Sequence, residues 1–426
     1  MDDGVKSRLF IVDHLCVLPY GHNLNALVVY KRALQERFDE VLCLAPERLS
    51  SIAEQATEVE KVLYFPYSGI LPSQSYRPRK SARSNSARQA NGRSPDYYRE
   101  AAWSFHTRLQ SILNIDYAKL RTSSNWKALI KKYQFTSRDV IFFPSAEHYG
   151  VTTLLEILEK ASPGSRPSVV IRAIGVAEGA AYADFQQRSK FIDAIRSATR
   201  SGVKVSVAAE TQPLQKFLEQ VLDLPVHILS YPLSLSLKEP AWSRPLIISS
   251  PGQGRVDKGF FRLFPIIKEL SAASAHGDFR FEIQDMRRSD PHYRARYSDM
   301  LRRADNVTLF PERLSQEEID AMYLRADILI LPYDADTYAL RGSAVYQEGI
   351  SAGCLFVCSA GLGLSNLVDR YENGFSAASD TDFVQRILNL GQLDRRQVRE
   401  KIDRARSQYE IDYRNGIDET FGAVHK

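Results

Sequence analysis

Short apolar runs recur along the chain, separated by longer stretches in which apolar residues return every three or four positions. Residues 9–12, 41–44, 62–65, 140–143, 168–171 and 203–207 have the length and β-branched content of strands buried on both faces. Most of the intervals between them read as helices, and that alternation predicts a parallel sheet covered by helices. A Pro- and Ser-containing stretch, 231–245, interrupts the pattern, which resumes at Leu246. It reads as a linker between two α/β domains, 1–235 and 244–405, followed by a terminal helix at 406–426. A chain of 426 residues suits two such cores better than one.

Two segments of the second domain carry candidate chemistry. The apolar run 246–250 leads into a loop holding Gly252, Gly254, Arg255, Lys258 and Gly259, then into an amphipathic stretch, 261–270. Glycines there admit a ligand close to the backbone, and two cations suit a diphosphate. Neither common phosphate-loop spacing is present. Further on, the run 327–332 reads as a strand, and Gly342 and Ser343 fit a helix start whose free N–H groups attract a phosphate. Glu348, about one turn into that helix, can accept from ribose hydroxyls. Taken singly, each piece also fits an ordinary βαβ unit or a solvated turn.

In this order the segments resemble the donor-nucleotide half of GT-B glycosyltransferases, especially glycosyltransferase family 4. The resemblance spans roughly 246–375 and implies two Rossmann-like domains with parallel sheets facing across a cleft, and a C-terminal helix crossing back to the first domain. It implies that Gly254, Arg255 and Lys258 grip a donor diphosphate and that Glu348 holds the ribose. Leu314 falls in the family's base-contacting loop, ahead of a capping box, Ser315 to Glu318. Tyr338, Arg341, Gly342 and Ser343 complete the donor side, and Gly21 falls in the loop that closes over the phosphates. The family's first acidic residue, eight positions before Glu348, is here Leu340; Arg341, Tyr338, Asp336 or Asp334 could substitute for it.

The first domain offers His22, beside Gly21 at a helix start, and Glu147 and His148 after the fourth run, as groups to bind or deprotonate an acceptor. A structural hydrogen bond or an exposed loop position explains such histidines equally well. Arg172 and Glu178 are weaker candidates. Asp334 and Asp336, two apart in a loop, raise a rival reading as metal ligands in the manner of GT-A enzymes; the GT-B resemblance implies no metal.

Composition changes the picture little: 44% apolar and 25% charged residues suit a soluble globular enzyme. No apolar run approaches a membrane span and no signal-peptide core opens the chain, so the expected location is cytoplasmic. The four cysteines lack disulfide or metal-ligand spacing and read as core residues. Charge is more informative. Residues 75–94 hold six cations and no acid, enough to account for the whole formal net charge of +5. The remainder is nearly neutral, which argues against a nucleic-acid enzyme. The basic stretch is expected to meet an anionic membrane surface at its inner face, or a lipid-diphosphate acceptor.

The resulting expectation is a retaining, metal-independent glycosyltransferase of bacterial polysaccharide or cell-surface glycan biosynthesis. Its substrates would be a nucleotide-diphosphate sugar and a glycan or lipid-linked acceptor, with no cofactor beyond that donor. A GT-B nucleotide-sugar epimerase and a nonenzymatic nucleotide-binding protein are the alternatives.

Overall fold

The computed structural model describes residues 7–17, 22–49, 58–65, 116–174, 185–275 and 277–425. The first sheet contains β1 (Arg8–Val12), β2 (Glu40–Pro46), β3 (Glu60–Leu63), β4 (Val140–Phe143), β5 (Ser168–Arg172), β6 (Val205–Ala209) and β7 (Val226–Ile228). The second contains β8 (Leu246–Ser250), β9 (Phe279–Gln284), β10 (Val307–Phe310), β11 (Ile328–Leu331), β12 (Leu355–Ser359) and β13 (Gly374–Ala377). Their orders are β3-β2-β1-β4-β5-β6-β7 and β10-β9-β8-β11-β12-β13. The pairings within both are parallel. Order reverses between β1 and β4 in one sheet and between β8 and β11 in the other, and each reversal opens a crevice at the carboxyl ends of the strands.

Apolar clusters cover both faces of each sheet, as the unbroken apolar runs require. Two strands are displaced by two residues from their sequence expectation, each because a side chain or helix end claims the backbone. The run 62–65 pairs only over Glu60–Leu63, since the amide of Tyr64 donates to Asn125 Oδ1 at 3.0 Å rather than to a strand. The run 203–207 gives way to Val205–Ala209 because the amide of Val203 closes the preceding helix on Ala198 O at 3.0 Å. The short strand β7 carries too few apolar residues to stand out in the sequence.

The stretch between the sheets is a strap. Ser234 and Leu235 donate their amides to Ser351 Oγ at 2.8 and 3.2 Å, and Leu233 and Leu235 pack on the second domain's core. At the far end, one helix, Arg395–His425, serves both domains. Val398 and Ile402 enter the second core, while Ile417, Phe421 and Val424 enter the first. Between them Tyr409 donates its hydroxyl to Tyr231 O at 2.8 Å, and Arg370 and Tyr371 hold Asp412. All four cysteines are free and buried, as core residues should be.

Phe421 is 2% exposed and meets Phe142 edge-on at 5.3 Å. Replacing it with Ala is expected to cost about 3–5 kcal/mol, read as a lower urea midpoint for the first domain's Trp126 fluorescence.

Candidate functional site

The second domain's site begins where β8 runs into its glycine loop. Gly259 has φ +71°, and a Cβ there would lie 1.9 Å from Pro332 O, so only glycine lets this loop sit against the end of β11. The approach places both cations of the loop at the β8/β11 reversal. Arg255 forks onto Asp257, Nε to Oδ1 at 2.9 Å, and also donates to the Tyr338 hydroxyl at 2.6 Å. Lys258 is half-buried, with Nζ 5.7 Å from the Tyr333 ring centre. Burial, and secondarily the neighbouring Arg255 charge, push its ammonium down to about 8, against the opposing pull of Asp257 and Glu348. A site that leaves an ammonium this poorly solvated favours an incoming anion.

Glu348 stands on the helix Ala344–Ala352, across from that ammonium, and bonds the Tyr323 hydroxyl. Burial pushes its carboxyl up to about 7. Ser343 caps this helix without a side-chain bond to its first turn; its hydroxyl instead pairs with Tyr333 at 3.3 Å. Tyr338 ends the short helix Ala335–Tyr338, its ring 4.7 Å from Tyr333 and 5.9 Å from the Arg341 guanidinium. Leu314, half-buried, lies in the loop after β10, which is tied to the loop after β9 by Arg288 N donating to Glu312 Oε2 at 2.6 Å. Gly254 bridges to Met286 beside it. Asp334 spends its carboxylate capping the short helix on Asp336 N, and both residues are exposed. Among the described residues no group of three His, Cys, Asp or Glu side chains is arranged to hold a metal.

One donor expected to be free is already engaged. The Gly342 amide donates to Glu210 Oε1, from the first domain, at 2.9 Å. Glu210 is 6% exposed and takes Arg172, which is fully buried, on its other oxygen at 3.0 Å. Arg172 itself donates to Leu229 O and Pro144 O. It therefore structures the domain junction.

The first domain brings a second polar cluster to its own strand reversal. Asp13, after β1, accepts from Leu15 N at 2.7 Å and Asn23 Nδ2 at 2.9 Å, and burial pushes its carboxyl up to about 7. His14 is fully buried between Trp126 and Phe143, and burial pushes its imidazole down to about 3. Glu147 accepts from Tyr149 N at 2.7 Å and Gly150 N at 2.6 Å, so its two oxygens cap the helix His148–Leu158. His148, 5% exposed, opens that helix with its ring against Tyr149. The helix His22–Leu34 starts where expected, while Gly21, the His22 side chain, Glu178 and the stretch 75–94 lie outside the described residues. Asp257, Tyr333 and Glu210 escaped the sequence reading. Asp257 could have been found between the two loop cations, whereas Glu210 is joined to Gly342 only by tertiary structure.

Two Rossmann-like domains with parallel sheets, joined by a shared C-terminal helix, constitute the GT-B fold. Solved structures share it. The chain is similar to HepE of Anabaena, solved in complex with UDP and glucose, at 12% identity, TM-score 0.58 and coverage of 98% of this chain and 100% of that one. It is similar also to the N-terminal domain of the Candida albicans trehalose-6-phosphate phosphatase, at 9% identity and TM-score 0.61, covering 98% and 99%. A mutant of S. aureus TarM, solved with fondaparinux, alpha-GlcNAc-glycerol and UDP, matches at 10% identity and TM-score 0.54, covering 72% of this chain. This chain spans 59% of the TarM chain. No family model matches the sequence and no curated protein matches it.

The Glu348 carboxyl has its folded value raised from 4.5 to about 7, so the folded state binds more protons than the unfolded one between these values and stability falls as pH rises through that window. Glu348→Gln, which keeps an acceptor for Tyr323, is expected to raise the melting temperature relative to wild type at pH 8 and to lose that advantage at pH 4.5. Scanning calorimetry at the two pH values measures the difference.

Proposed function

We propose that the protein is a glycosyltransferase that moves a sugar from a nucleoside-diphosphate sugar to a hydroxyl of a glycan or lipid-linked acceptor, with retention of configuration. One observation carries the reading: the half-buried Lys258 and the Arg255 fork converge at the β8/β11 reversal, opposite Glu348. Two cations, an amide-rich turn and one carboxylate suit a diphosphate with its ribose. The GT-B fold agrees, and two of the solved structures that share it were determined with UDP. Uridine is accordingly the first base to test.

In this reading the bond between the anomeric carbon and the diphosphate breaks as the acceptor oxygen bonds to that carbon. Negative charge then grows on the leaving phosphate, where Lys258 and Arg255 stabilise it; that role needs no metal ion. Tyr338 and Asp257 hold Arg255 in place. His148, at the carboxyl edge of the other sheet, positions the acceptor hydroxyl, and Glu147 fixes the helix that carries it. The hydroxyl proton leaves to the diphosphate or to His148. Leu314 flanks the base; by the family resemblance Gly21 belongs to the loop on the phosphate side, and His22 is a further group for the acceptor. By its composition the basic stretch 75–94 supplies contact with an anionic membrane surface at its cytoplasmic face, where lipid-linked acceptors of bacterial cell-surface glycans are built.

UDP is expected to raise the melting temperature equally with magnesium and with EDTA. Stabilisation seen only with metal would transfer the diphosphate to Asp334 and Asp336, and no response to UDP, GDP, CDP, ADP or TDP would refute the donor site. Lys258→Ala should lower turnover by about 10²–10³-fold with the fold intact, measured as nucleotide release dependent on an acceptor panel. Nucleotide binding without release across the panel would instead indicate a binding protein.

The depressed Lys258 pKa gives a further outcome. A bound diphosphate raises it above about 8, so UDP binding at pH 8 should take up as much as about half a proton. Calorimetry in buffers of different ionisation enthalpy reads that uptake, which should vanish in Lys258→Ala.

A further inference from the structure

The donor loop is held from outside its own domain. Glu210 and Thr211 follow β6 in the first domain, yet Glu210 Oε1 accepts from Gly342 N at 2.9 Å and the Thr211 hydroxyl donates to Leu340 O. Gln347 Nε2, one turn into the helix of Glu348, reaches Glu210 Oε2 at 3.5 Å. The fit is close, since a Cβ on Gly342 would lie 2.8 Å from Glu210 Cδ. Behind Glu210, Arg172 anchors the carboxylate with a 3.0 Å bond and is itself fixed by the carbonyls of Leu229 and Pro144. Ahead of it, the loop leads back to Tyr338, whose hydroxyl sits 2.6 Å from the Arg255 guanidinium.

We infer that Glu210 is a positioning residue that latches the two domains together and, through Gly342 and Tyr338, sets the arginine that receives the donor diphosphate. The inference rests on the donor-site reading above. A buried carboxylate paired on one side with a fixed guanidinium keeps its orientation, and its second oxygen can reach the Gly342 amide only while the domains are closed. Closure and the preformed geometry of Arg255 are therefore one equilibrium. Nucleotide binding and the latch then strengthen one another by the same factor, as linkage requires.

Nitroxide labels at Lys131→Cys and Lys268→Cys, exposed on helices of the two domains, report closure in the full chain; the four native cysteines are buried. In otherwise wild-type protein without ligand, pulsed dipolar spectroscopy should give a single narrow distance distribution. Glu210→Ala should broaden it and weaken UDP binding about tenfold by calorimetry, while Glu210→Gln, which keeps an oxygen for Gly342 N, should fall between. Glu210→Ala also leaves Arg172 buried without its partner. Gly342→Ala is therefore the second variant: it keeps both the Arg172 and Glu210 side chains and wedges the junction sterically against Glu210, with the same two effects expected. Wild-type distances and wild-type UDP affinity in both Glu210→Ala and Gly342→Ala would overturn the inference, even if their melting temperatures fell. Failure of the wild type to bind UDP would remove the donor-site reading, whereas the distance data would still accept or reject the latch.

Discussion

Burial of both faces of a parallel sheet is the constraint from which the rest follows. With helices on either side, the strands are filled chiefly by apolar side chains, as in β11, whose four residues are all apolar and buried. Polar chemistry is thereby pushed to the strand ends. At the carboxyl ends it meets helix N-termini and loops, and at a reversal of strand order the loops diverge and leave a crevice. Lys258, Arg255 and Glu348 occupy one such crevice, and Asp13, Glu147 and His148 flank the other. Neither cluster needs a special architecture beyond what the apolar runs already impose.

The two clusters share a second property. Asp13, Glu348 and Lys258 sit where their charged forms are poorly hydrated, and in each case burial is the largest influence on the proton equilibrium. Such placements oppose folding wherever the charged form has to be kept. Asp257 and Tyr338, by contrast, are bound tightly to Arg255 and supply order. The clusters thus combine groups short of solvation with groups that fix geometry, and at Lys258 the missing solvation is of the kind an anion supplies.

Much of this was legible in the sequence because it is local. Apolar runs named most strands within two residues, and the glycine loop, the capping box at Ser315 and the helix bearing Glu348 are consecutive patterns. Errors arose where a distant group claimed backbone: Asn125 ended β3 early, and Gly342, read as an open amide, is taken by Glu210, 132 residues away along the chain. Glu147 shows a subtler limit of local reading. A carboxylate just ahead of a helix serves equally as a cap or as a base, and only the bonds to Tyr149 N and Gly150 N distinguish the two.

The helix Arg395–His425 bears on how the protein comes into being. The first domain's core includes Ile417, Phe421 and Val424, so a ribosome that has delivered the whole first sheet has still not delivered the residues that close it. That half must wait, with apolar surface open, until the second half has been made, although domains of a long chain ordinarily mature in order of synthesis. The shared helix makes completion of both cores a single late event, and a chain that stops before Ile417 is defective at its beginning.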